Sequence, residues 1–384
     1  MIKGVFPVRE FASLRTPFYF YDVGLLRSTL EDIRQTLARH ASWRVHYAVK
    51  ANFNPELLRI IAAAGLGADC VSGGEIKAAL QAGFAADSIV FSGVGKRDDE
   101  ILLGIHEGIG RFNVESTAEL LVLNDLAGSV GKKARISLRV NPDIGAHTHA
   151  NITTGLAENK FGIHHSQIDE VVELANQLPN VVFCGLHFHI GSQILDMSDF
   201  VSLCNRVNDC LARMEQRGVK IEDINVGGGL GIEYEHPNHL PKADFAAYFD
   251  VFKRHLLTEL PVHFELGRSI VAPCGTLISR ILYVKEGLHR RFAILDASMT
   301  ELIRPALYHA FHRIENISSE GPEMKYDVVG PVCESSDVFG KGVSLNECHR
   351  GDFIAIRSAG AYGESMVSHY NCRPSPDSYF SDSF

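Results

Sequence analysis

The sequence lacks the features that would direct a protein to a membrane or to a polyanion. No apolar run reaches the roughly 18 residues of a membrane-spanning helix, and the opening MIKGVFPVREF lacks the basic and long apolar segments of a secretory signal. No block of Lys and Arg residues occurs, and 37 basic against 46 acidic residues give a formal net charge of −9. We therefore expect a cytoplasmic protein that binds neither nucleic acid nor membrane.

Cysteine is present, but no C-x-x-C pair occurs, so neither a zinc knuckle nor a thioredoxin-like motif is indicated. Most of the eight cysteines are expected to be buried, reduced thiols. A composition of 46% hydrophobic and 22% charged residues, with 34 Gly and 14 Pro, excludes disordered and collagen-like chains. The length of 384 residues suggests two to three domains, or one large α/β barrel with an addition.

Eight short apolar segments alternate with segments of helical pattern over the first two thirds of the chain. These segments are VHYAV (45–49), GADCV (67–71), SIVFSG (88–93), RFNVES (111–116), ARISLRV (134–140), FCGLHFHI (183–190), INVGGG (224–229) and VHFELG (262–267). Eight strand and helix alternations predict a closed (β/α)8 barrel of TIM type, an α/β fold. A doubly wound open sheet would give a similar pattern.

After about Ser269 the pattern changes to β-like stretches separated by loops rather than by long helices. The opening segment TPFYFYD (16–22) is also strand-like, and it is separated from the first barrel strand by a helical pattern. We therefore predict a barrel domain over residues 24–270 and a β-rich domain built from residues 1–23 and 271–384.

Polar residues follow the ends of the predicted barrel strands. In chain order they are Lys50, Asp69, Ser92, Glu115, Asn141, His189, Gly227–Gly229, and Glu265 with Arg268. Because the carboxyl ends of barrel strands meet at one mouth, where barrel enzymes hold their active sites, we expect these residues to cluster. Each taken alone also has an ordinary structural explanation, such as a solvated lysine or a packed histidine.

Three of these features together suggest a cofactor. The glycines GGGLG (227–231) follow the seventh predicted strand, where barrels often bind phosphate through backbone N–H groups, although a tight turn would also explain them. Lys50 can form a Schiff base, and Glu265 can keep a pyridine nitrogen protonated. Pyridoxal 5'-phosphate needs such an amine, such N–H donors and such a carboxylate, so we predict it as the cofactor, with no metal.

Eight motifs extend in order over most of the chain. They are YAVKAN (47–52), GADCVSGGE (67–75), HFHIGSQ (187–193), GGGLGI (227–232), ELGRSIVAPCG (265–275), RPALY (304–308), GPVCESSDVFGK (330–341) and AGAYGESM (359–366). Together they resemble the diaminopimelate decarboxylases, a family of barrel-fold pyridoxal-phosphate decarboxylases. The resemblance implies decarboxylation of meso-2,6-diaminopimelate to L-lysine and CO2, the last step of lysine biosynthesis, by a homodimer.

The resemblance also implies roles for individual residues. Lys50 would hold the cofactor covalently, and Cys333 would be the proton donor, reaching the pocket from the other subunit. Further cofactor contacts would come from Asp69, His189, Ser192, Gly228, Gly229, Glu265, Gly267, Arg268 and Tyr362. The distal amino-acid end of the substrate would be bound by Arg268, Arg304, Tyr308, Glu334 and Tyr362.

The sequence departs from the family pattern at three positions. Leu266 replaces a usual proline, Phe188 stands where a smaller residue or cysteine is frequent, and Glu364 stands where an aromatic residue is common. Phe188 is expected to point away from the site, because neighbours on a strand alternate in direction. The long loop 143–162 contains His147 and His149, and we interpret it as a lid over the substrate rather than as a metal site.

Three alternatives remain open at this point. A sister decarboxylase would act on a carboxylated polyamine or a siderophore precursor, but RPALY and the CES motif argue against it. An amino-acid racemase of the same fold typically places arginine at the ring nitrogen, whereas this chain has Glu265. A cofactor-carrying barrel without chemistry would end after the barrel, whereas this chain continues for more than 100 residues.

Overall fold

The computed structural model describes residues 6–144 and 160–383, which form two compact units. One unit comprises Leu30–Gly231 and Asp244–Gly267. The other comprises Met1–Thr29, Ile232–Ala243 and Arg268–Phe384. Residues 232–243 thus belong by their contacts to the second unit, although they lie inside the range 24–270 in which the sequence predicts the barrel.

Eight parallel strands form the first unit, and each predicted barrel segment supplies one of them. Numbered along the whole chain, they are β2 (Arg44–Ala48), β3 (Gly67–Cys70), β4 (Ile89–Phe91), β5 (Arg111–Val114), β6 (Ala134–Asn141), β8 (Val181–Phe188), β9 (Asp223–Asn225) and β10 (Val262–Leu266). The first and last strands, β2 and β10, pair in parallel, so the sheet closes on itself. The (β/α)8 barrel is confirmed, and the open sheet is excluded. A short strand, β7 (Ile163–His164), adds to β6.

Helix α2 (Val23–Leu37) precedes the first barrel strand, and further helices follow most of the barrel strands. These are α3 (Pro55–Ala63), α4 (Gly73–Ala82), α5 (Asp98–Glu107), α6 (Thr117–Ser129), α7 (Ile168–Gln177), α8 (Met197–Gln216) and α9 (Phe245–His255). Side-chain oxygens of Asn54, Ser72, Ser116, Asp196 and Asp244 accept hydrogen bonds from the first turns of five of them. These N-caps fix where the helices begin, immediately after the loops at the strand ends.

The second unit is built around one long strand, β11 (Gly275–Glu286), and three short helices, α1 (Val8–Phe11), α10 (Arg268–Val271) and α11 (Arg304–Tyr308). The other strands are β1 (Phe18–Tyr21), β12 (Arg291–Leu295), β13 (Ile314–Asn316), β14 (Glu323–Val329), β15 (Val338–Asn346), β16 (Phe353–Ile356) and β17 (Asp377–Phe380). Strand β1 is antiparallel to β11 and parallel to β17, so segments from both ends of the chain share this sheet. The predicted β-rich domain with an N-terminal contribution is confirmed.

Six of the eight cysteines are buried free thiols, and Cys333 and Cys372 are exposed. The expectation of burial therefore holds for most of them, but Cys372 lies in the exposed segment near the C-terminus. None of the helices within residues 6–144 and 160–383 has the length and apolar character needed to cross a bilayer.

A pair of histidines connects the first and last barrel strands. Nδ1 of His46 donates to the carbonyl of Ser88 at 3.1 Å, which leaves its Nε2 to accept from Nδ1 of His263 at 2.8 Å. Burial lowers the pKa of His46 to about 4, helped by His263. Burial, together with Arg111 and Arg44, likewise lowers the pKa of His263 to about 4. The pair is therefore neutral at pH 7.

This pair predicts a loss of stability in acid. Between pH 6.5 and 4 the histidines bind protons only in the unfolded chain, so the free energy of unfolding falls as the pH falls, by about 1.4 kcal/mol per pH unit per group. His263→Phe removes one proton-binding group and should make the melting temperature less dependent on pH between 7 and 4.5. Thermal melts of the variant and the wild type that shift in parallel with pH would contradict this assignment.

Candidate active site

A chain of hydrogen bonds crosses the mouth of the barrel. Ser92 Oγ donates to Asp69 Oδ1 at 2.7 Å, and Asn113 Nδ2 donates to Ser92 Oγ at 2.9 Å and to Glu265 Oε1 at 3.0 Å. These four residues come from four different strands or strand ends, as the sequence predicts for three of them. The barrel therefore brings Asp69, Ser92 and Glu265 together in one polar layer.

Glu265 is the most densely bonded residue of this layer. Its Oε1 also accepts from Asn225 Nδ2 at 2.7 Å, and its Oε2 accepts from His187 Nε2 at 3.0 Å. Burial raises the pKa of the Glu265 carboxyl, but His187, His189 and His46 outweigh it and hold the pKa well below its ordinary value. Glu265 is therefore ionised, and Oε2 retains a lone-pair position for one further donor.

Sequence reasoning missed Asn113, His187 and Asn225. Each stands two residues before a predicted strand-end residue or glycine, namely Glu115, His189 and Gly227. Residues i and i+2 of a strand point to the same side. The strand-end residues could therefore have been used to predict that Asn113, His187 and Asn225 face the same side of the barrel. Asn113 Oδ1 and His187 Nδ1 are buried without a hydrogen-bond partner within the described ranges.

Lys50 lies in the short helical turn Val49–Ala51, directly after β2, and is exposed. Its charge acts on several groups at the mouth. Burial and Glu265 raise the pKa of Asp69 well above its ordinary value, and Lys50 opposes this rise. Burial, Arg139 and Lys50 together lower the pKa of His189 far below its ordinary value. Lys50 therefore lies within electrostatic reach of the predicted cofactor-binding residues.

The glycines after β9 form a backbone cradle that no larger residue can replace. A Cβ on Gly228 would lie 1.9 Å from the carbonyl oxygen of Glu265, and a Cβ on Gly227 would lie 2.3 Å from that of Phe188. Gly227 and Gly229 have φ angles of 72° and 113°, which side chains rarely adopt. The backbone of this loop thus packs directly on the neighbouring strands.

The loop after β8 runs beside this glycine cradle. Ile194 N donates to the Gly229 carbonyl at 2.9 Å, and Gly231 N donates to the Ile194 carbonyl at 2.9 Å. Gly228 N donates to His189 Nδ1 at 3.2 Å, so a neutral His189 carries its proton on Nε2. Ser192 lies on the same loop, between His189 and Ile194. The residues His189, Ser192, Gly228 and Gly229, all predicted to bind the cofactor, therefore lie close together.

Gly267 follows β10 and packs closely against Ala48 and Ala51. A Cβ on Gly267 would lie 3.0 Å from the Cβ atom of each.

The β-rich unit contains a second group of predicted residues. Arg268 and Arg304 begin α10 and α11, and both are buried. The Arg268 guanidinium lies 5.0 Å from the ring centre of Tyr362, whose φ is 56°. Tyr308, at the end of α11, acts electrostatically on Arg268. The predicted substrate residues Arg268, Tyr308 and Tyr362 therefore lie near one another, and Arg304 joins them through Tyr234, which the prediction did not include.

Cys333 and Glu334 lie exposed on a short, constrained loop of the β-rich unit. Asp337 holds the base of this loop by accepting from Val332 N at 2.8 Å and from Met299 N at 2.7 Å. Glu334 Oε1 accepts from the hydroxyl of Tyr370 at 2.7 Å. The thiol and the carboxylate are thus presented side by side on the surface of this unit.

The three family departures have structural explanations. Glu364 accepts from the hydroxyls of Tyr21 and Ser378 at 2.5 and 2.7 Å, and so links its segment to β1 and β17. Leu266 is buried and paired with Tyr47. Phe188 is fully buried and follows His187, whose side chain bonds Glu265, so Phe188 points away from that layer.

One group of metal-ligand residues lies beside the segment 145–159. Asp143, His164 and His165 each bring one ligand atom within 4.8 Å of the others. Burial, together with Arg206, His164 and Arg213, lowers the pKa of His165, and the charges of the two arginines disfavour a cation there. His147 and His149, and with them most of the predicted lid, lie outside the described residues.

Comparison with known proteins decides the family. A family model for the pyridoxal-binding domain of pyridoxal-dependent decarboxylases matches residues 23–272. A diaminopimelate decarboxylase from Bacteroides thetaiotaomicron is 60% identical over 383 residues, which cover 99% of each chain. The chain belongs to the diaminopimelate decarboxylase family. The predicted resemblance is confirmed.

Two solved diaminopimelate decarboxylase structures extend this family match to the whole fold. The structure from Helicobacter pylori, in complex with L-lysine, is 40% identical with a TM-score of 0.91, covering 97% of this chain and 93% of that chain. The structure from M. jannaschii, also in complex with L-lysine, is 34% identical with a TM-score of 0.90, covering 98% and 89%. Both units of this family member thus have counterparts of known structure.

The glycine cradle predicts a steric effect on stability. Gly228→Ala should lower the free energy of unfolding by about 1–3 kcal/mol, because its Cβ would overlap the Glu265 carbonyl oxygen. Gly95→Ala is the matched control, since an added Cβ at this exposed position meets no atom of the described chain within 4 Å. Urea unfolding of both variants checks this, and equal midpoints for the two would contradict the close approach.

Proposed function

We propose that the protein catalyses the decarboxylation of meso-2,6-diaminopimelate to L-lysine and CO2, with pyridoxal 5'-phosphate as cofactor. The observation that carries this proposal is that Lys50 and an ionised, buried Glu265 both lie at the barrel mouth, in a chain 60% identical over its length to a diaminopimelate decarboxylase. The related structures from Helicobacter pylori and M. jannaschii are both complexes with L-lysine, the proposed product.

The residues at the barrel mouth fit this cofactor. When bound, pyridoxal phosphate supplies an electron-accepting ring that stabilises the carbanion left by the departing CO2. Lys50 offers the amine that would hold it, and Ser192 and Gly229 offer donors for its phosphate. The N–H of Gly228 would join them by exchanging His189 Nδ1 for a phosphate oxygen. The free lone-pair position on Glu265 Oε2 suits the ring nitrogen, while His189 would lie against the ring face.

Glu265 also favours decarboxylation over racemisation. An ionised carboxylate keeps a proton on the ring nitrogen and so increases the electron demand of the ring. Asn113, Asn225 and His187 satisfy this carboxylate by hydrogen bonds and hold it in place. An arginine, as is typical of racemases of this fold, would leave that nitrogen unprotonated.

The distal end of the substrate carries a carboxylate and an ammonium group. We assign the carboxylate to Arg268 and Arg304, whose guanidiniums form charge-assisted hydrogen bonds, with Tyr308 and Tyr362 beside them. Glu334 suits the ammonium group. Cys333 would protonate the carbon from which CO2 leaves, and we infer that it serves the active site of the other subunit in a homodimer.

Steady-state assays with purified protein test the reaction. Lysine and CO2 should form from meso-diaminopimelate in preference to a carboxylated polyamine or a siderophore precursor. Absence of lysine production would overturn the proposal. Exchange between D and L centres without CO2 release would indicate a racemase instead.

Lys50→Ala should abolish the visible absorbance of the covalently held cofactor, because the variant lacks the amine. Lys77→Ala, which removes an exposed lysine of α4, should leave the absorbance unchanged. Absorbance scans of the purified variants give the result. A Lys50→Ala spectrum identical to that of the wild type would rule out Lys50 as the attachment point.

Cys333→Ala should retain the cofactor spectrum but lower kcat by about 100-fold or more, the usual effect of removing a proton donor. Cys372→Ala removes the other exposed cysteine and should leave kcat near the wild-type value. Equal turnover for Cys333→Ala and wild type would place the proton donor elsewhere.

The shared site has a separate test. Inactive Lys50→Ala and Cys333→Ala chains, mixed under conditions of subunit exchange, should recover activity, because a hybrid dimer contains one pocket with both residues. Mixtures that exchange subunits but stay inactive would contradict a site completed by the partner.

A further inference from the structure

Two buried arginines of the β-rich unit share one neutral partner. The guanidiniums of Arg268 and Arg304 both donate to Tyr234 Oη, at 2.8 and 3.0 Å. Both residues are only 6% exposed, and buried arginines are ordinarily paired with carboxylates. Arg304 has no carboxylate partner in the part of the chain that the structure describes. Its positive charge is therefore not cancelled within this unit by an ion pair.

The hydroxyl group of Tyr234 accepts two hydrogen bonds and keeps its own hydrogen for another acceptor. The two arginine donors occupy both lone pairs of Oη, so the hydroxyl hydrogen points elsewhere. Within residues 6–144 and 160–383 this hydrogen has no acceptor. The ring of Tyr234 also lies 5.2 Å from the Arg304 guanidinium.

His312 fixes Arg304 from the other side. His312 Nδ1 lies 2.8 Å from the carbonyl oxygen of Arg357, which only accepts, so Nδ1 carries the proton. Nε2 must then accept, and Arg304 Nη1 donates to it at 3.0 Å. Burial and the charge of Arg304 lower the pKa of His312 to about 3, so it is a neutral acceptor at physiological pH. Both hydrogens of Arg304 Nη1 are thus used, one on His312 and one on Tyr234.

Neutral partners hold Arg304 without neutralising it. A carboxylate in place of Tyr234 would satisfy the same hydrogen bonds, but it would cancel one positive charge. Burial lowers the pKa of Arg304, and Arg268 adds to this effect. A bound carboxylate would relieve that repulsion. The arrangement is therefore suited to an anionic ligand that arrives from outside the unit.

We propose that Tyr234 is a positioning residue that orients Arg268 and Arg304 toward the distal carboxylate of the substrate, and that His312 fixes Arg304 in this orientation. This inference rests on the proposed function, which assigns the distal carboxylate to the two arginines. Neither residue belongs to the site that the sequence predicts.

Tyr234→Phe is the direct test, because it keeps the ring and removes only the hydroxyl. The KM for meso-diaminopimelate should rise about tenfold, because both arginines lose the hydroxyl oxygen that orients them, with kcat within about twofold. Inhibition by L-lysine, which carries a carboxylate, should weaken by a similar factor. Inhibition by cadaverine, the same chain without the carboxylate, should not change.

Tyr248→Phe is the matched control. This buried tyrosine of α9 has a hydroxyl without a hydrogen-bond partner in the described chain, so its removal should leave KM and both inhibition constants unchanged. Equal effects of the two substitutions would show that Tyr234 acts only through general packing and would overturn the inference.

A pair of substitutions tests His312. His312→Gln retains one acceptor and one donor and should keep KM within about threefold, whereas His312→Leu removes both and should raise it about tenfold. If His312→Leu does not fold, the KM values of Tyr234→Phe and His312→Gln still test the positioning roles of Tyr234 and His312. A His312→Leu enzyme with wild-type KM would overturn the role of His312.

The outcomes separate this inference from the proposed function. A wild-type protein that makes no lysine contradicts the function itself. A wild-type protein that makes lysine, together with a Tyr234→Phe variant that binds L-lysine as tightly, contradicts only the positioning role. Equal weakening of L-lysine and cadaverine would also contradict it, because the effect would not be directed at the carboxylate.

Discussion

The burial of an ionised carboxylate at the barrel mouth is the constraint on which the rest of this site depends. A buried carboxylate is costly unless its oxygens are hydrogen-bonded. Asn113, Asn225 and His187 supply three donors to Glu265, and each comes from a different strand. Only a closed barrel with the observed register can bring these three strands and β10 to one point. The ionised state of Glu265 therefore depends on the closed barrel, because the barrel brings its three hydrogen-bond donors together.

The glycine loop follows from the same geometry. Asn225 bonds Glu265 through its amide nitrogen, and its Oδ1 accepts from Gly227 N at 2.9 Å. The carbonyl of Gly227 in turn accepts from Glu265 N at 2.8 Å. The loop is thereby drawn so close to β10 that Gly228 has no space for a side chain. One residue, Asn225, couples the charged layer to the backbone donors proposed for phosphate.

Sequence periodicity predicted the barrel well because each buried parallel strand is a short apolar run between helices. The strand-end residues Asp69 and Glu265 were predictable for the same reason, since topology alone brings strand ends together. Asn113 and His187 were missed because a polar residue inside an apolar strand has no signal until the inward face is known. Tyr234 and His312 were missed because they are far apart in sequence, and only the tertiary fold places both on Arg304. The grouping of residues 232–243 with the β-rich unit depends on contacts that periodicity does not encode.

Glu265 and Arg304 are buried charges of opposite sign, and each needs hydrogen-bond partners in place of water. Glu265 is held largely by neutral amides, and Arg304 is held by a phenol and a neutral imidazole. Neutral partners satisfy the hydrogen bonds that burial demands, but they do not cancel the field of the charge. An ion pair would have satisfied the same hydrogen bonds, but its opposite charge would have left less attraction for a ligand. Arg304 therefore retains a buried charge whose complement must be brought by a ligand, whereas Glu265 also has the imidazoles of His187, His189 and His46 around it. Arg304 can be held in this way only while His312 is neutral, because a protonated imidazole could not accept a hydrogen bond from Arg304 and would repel it.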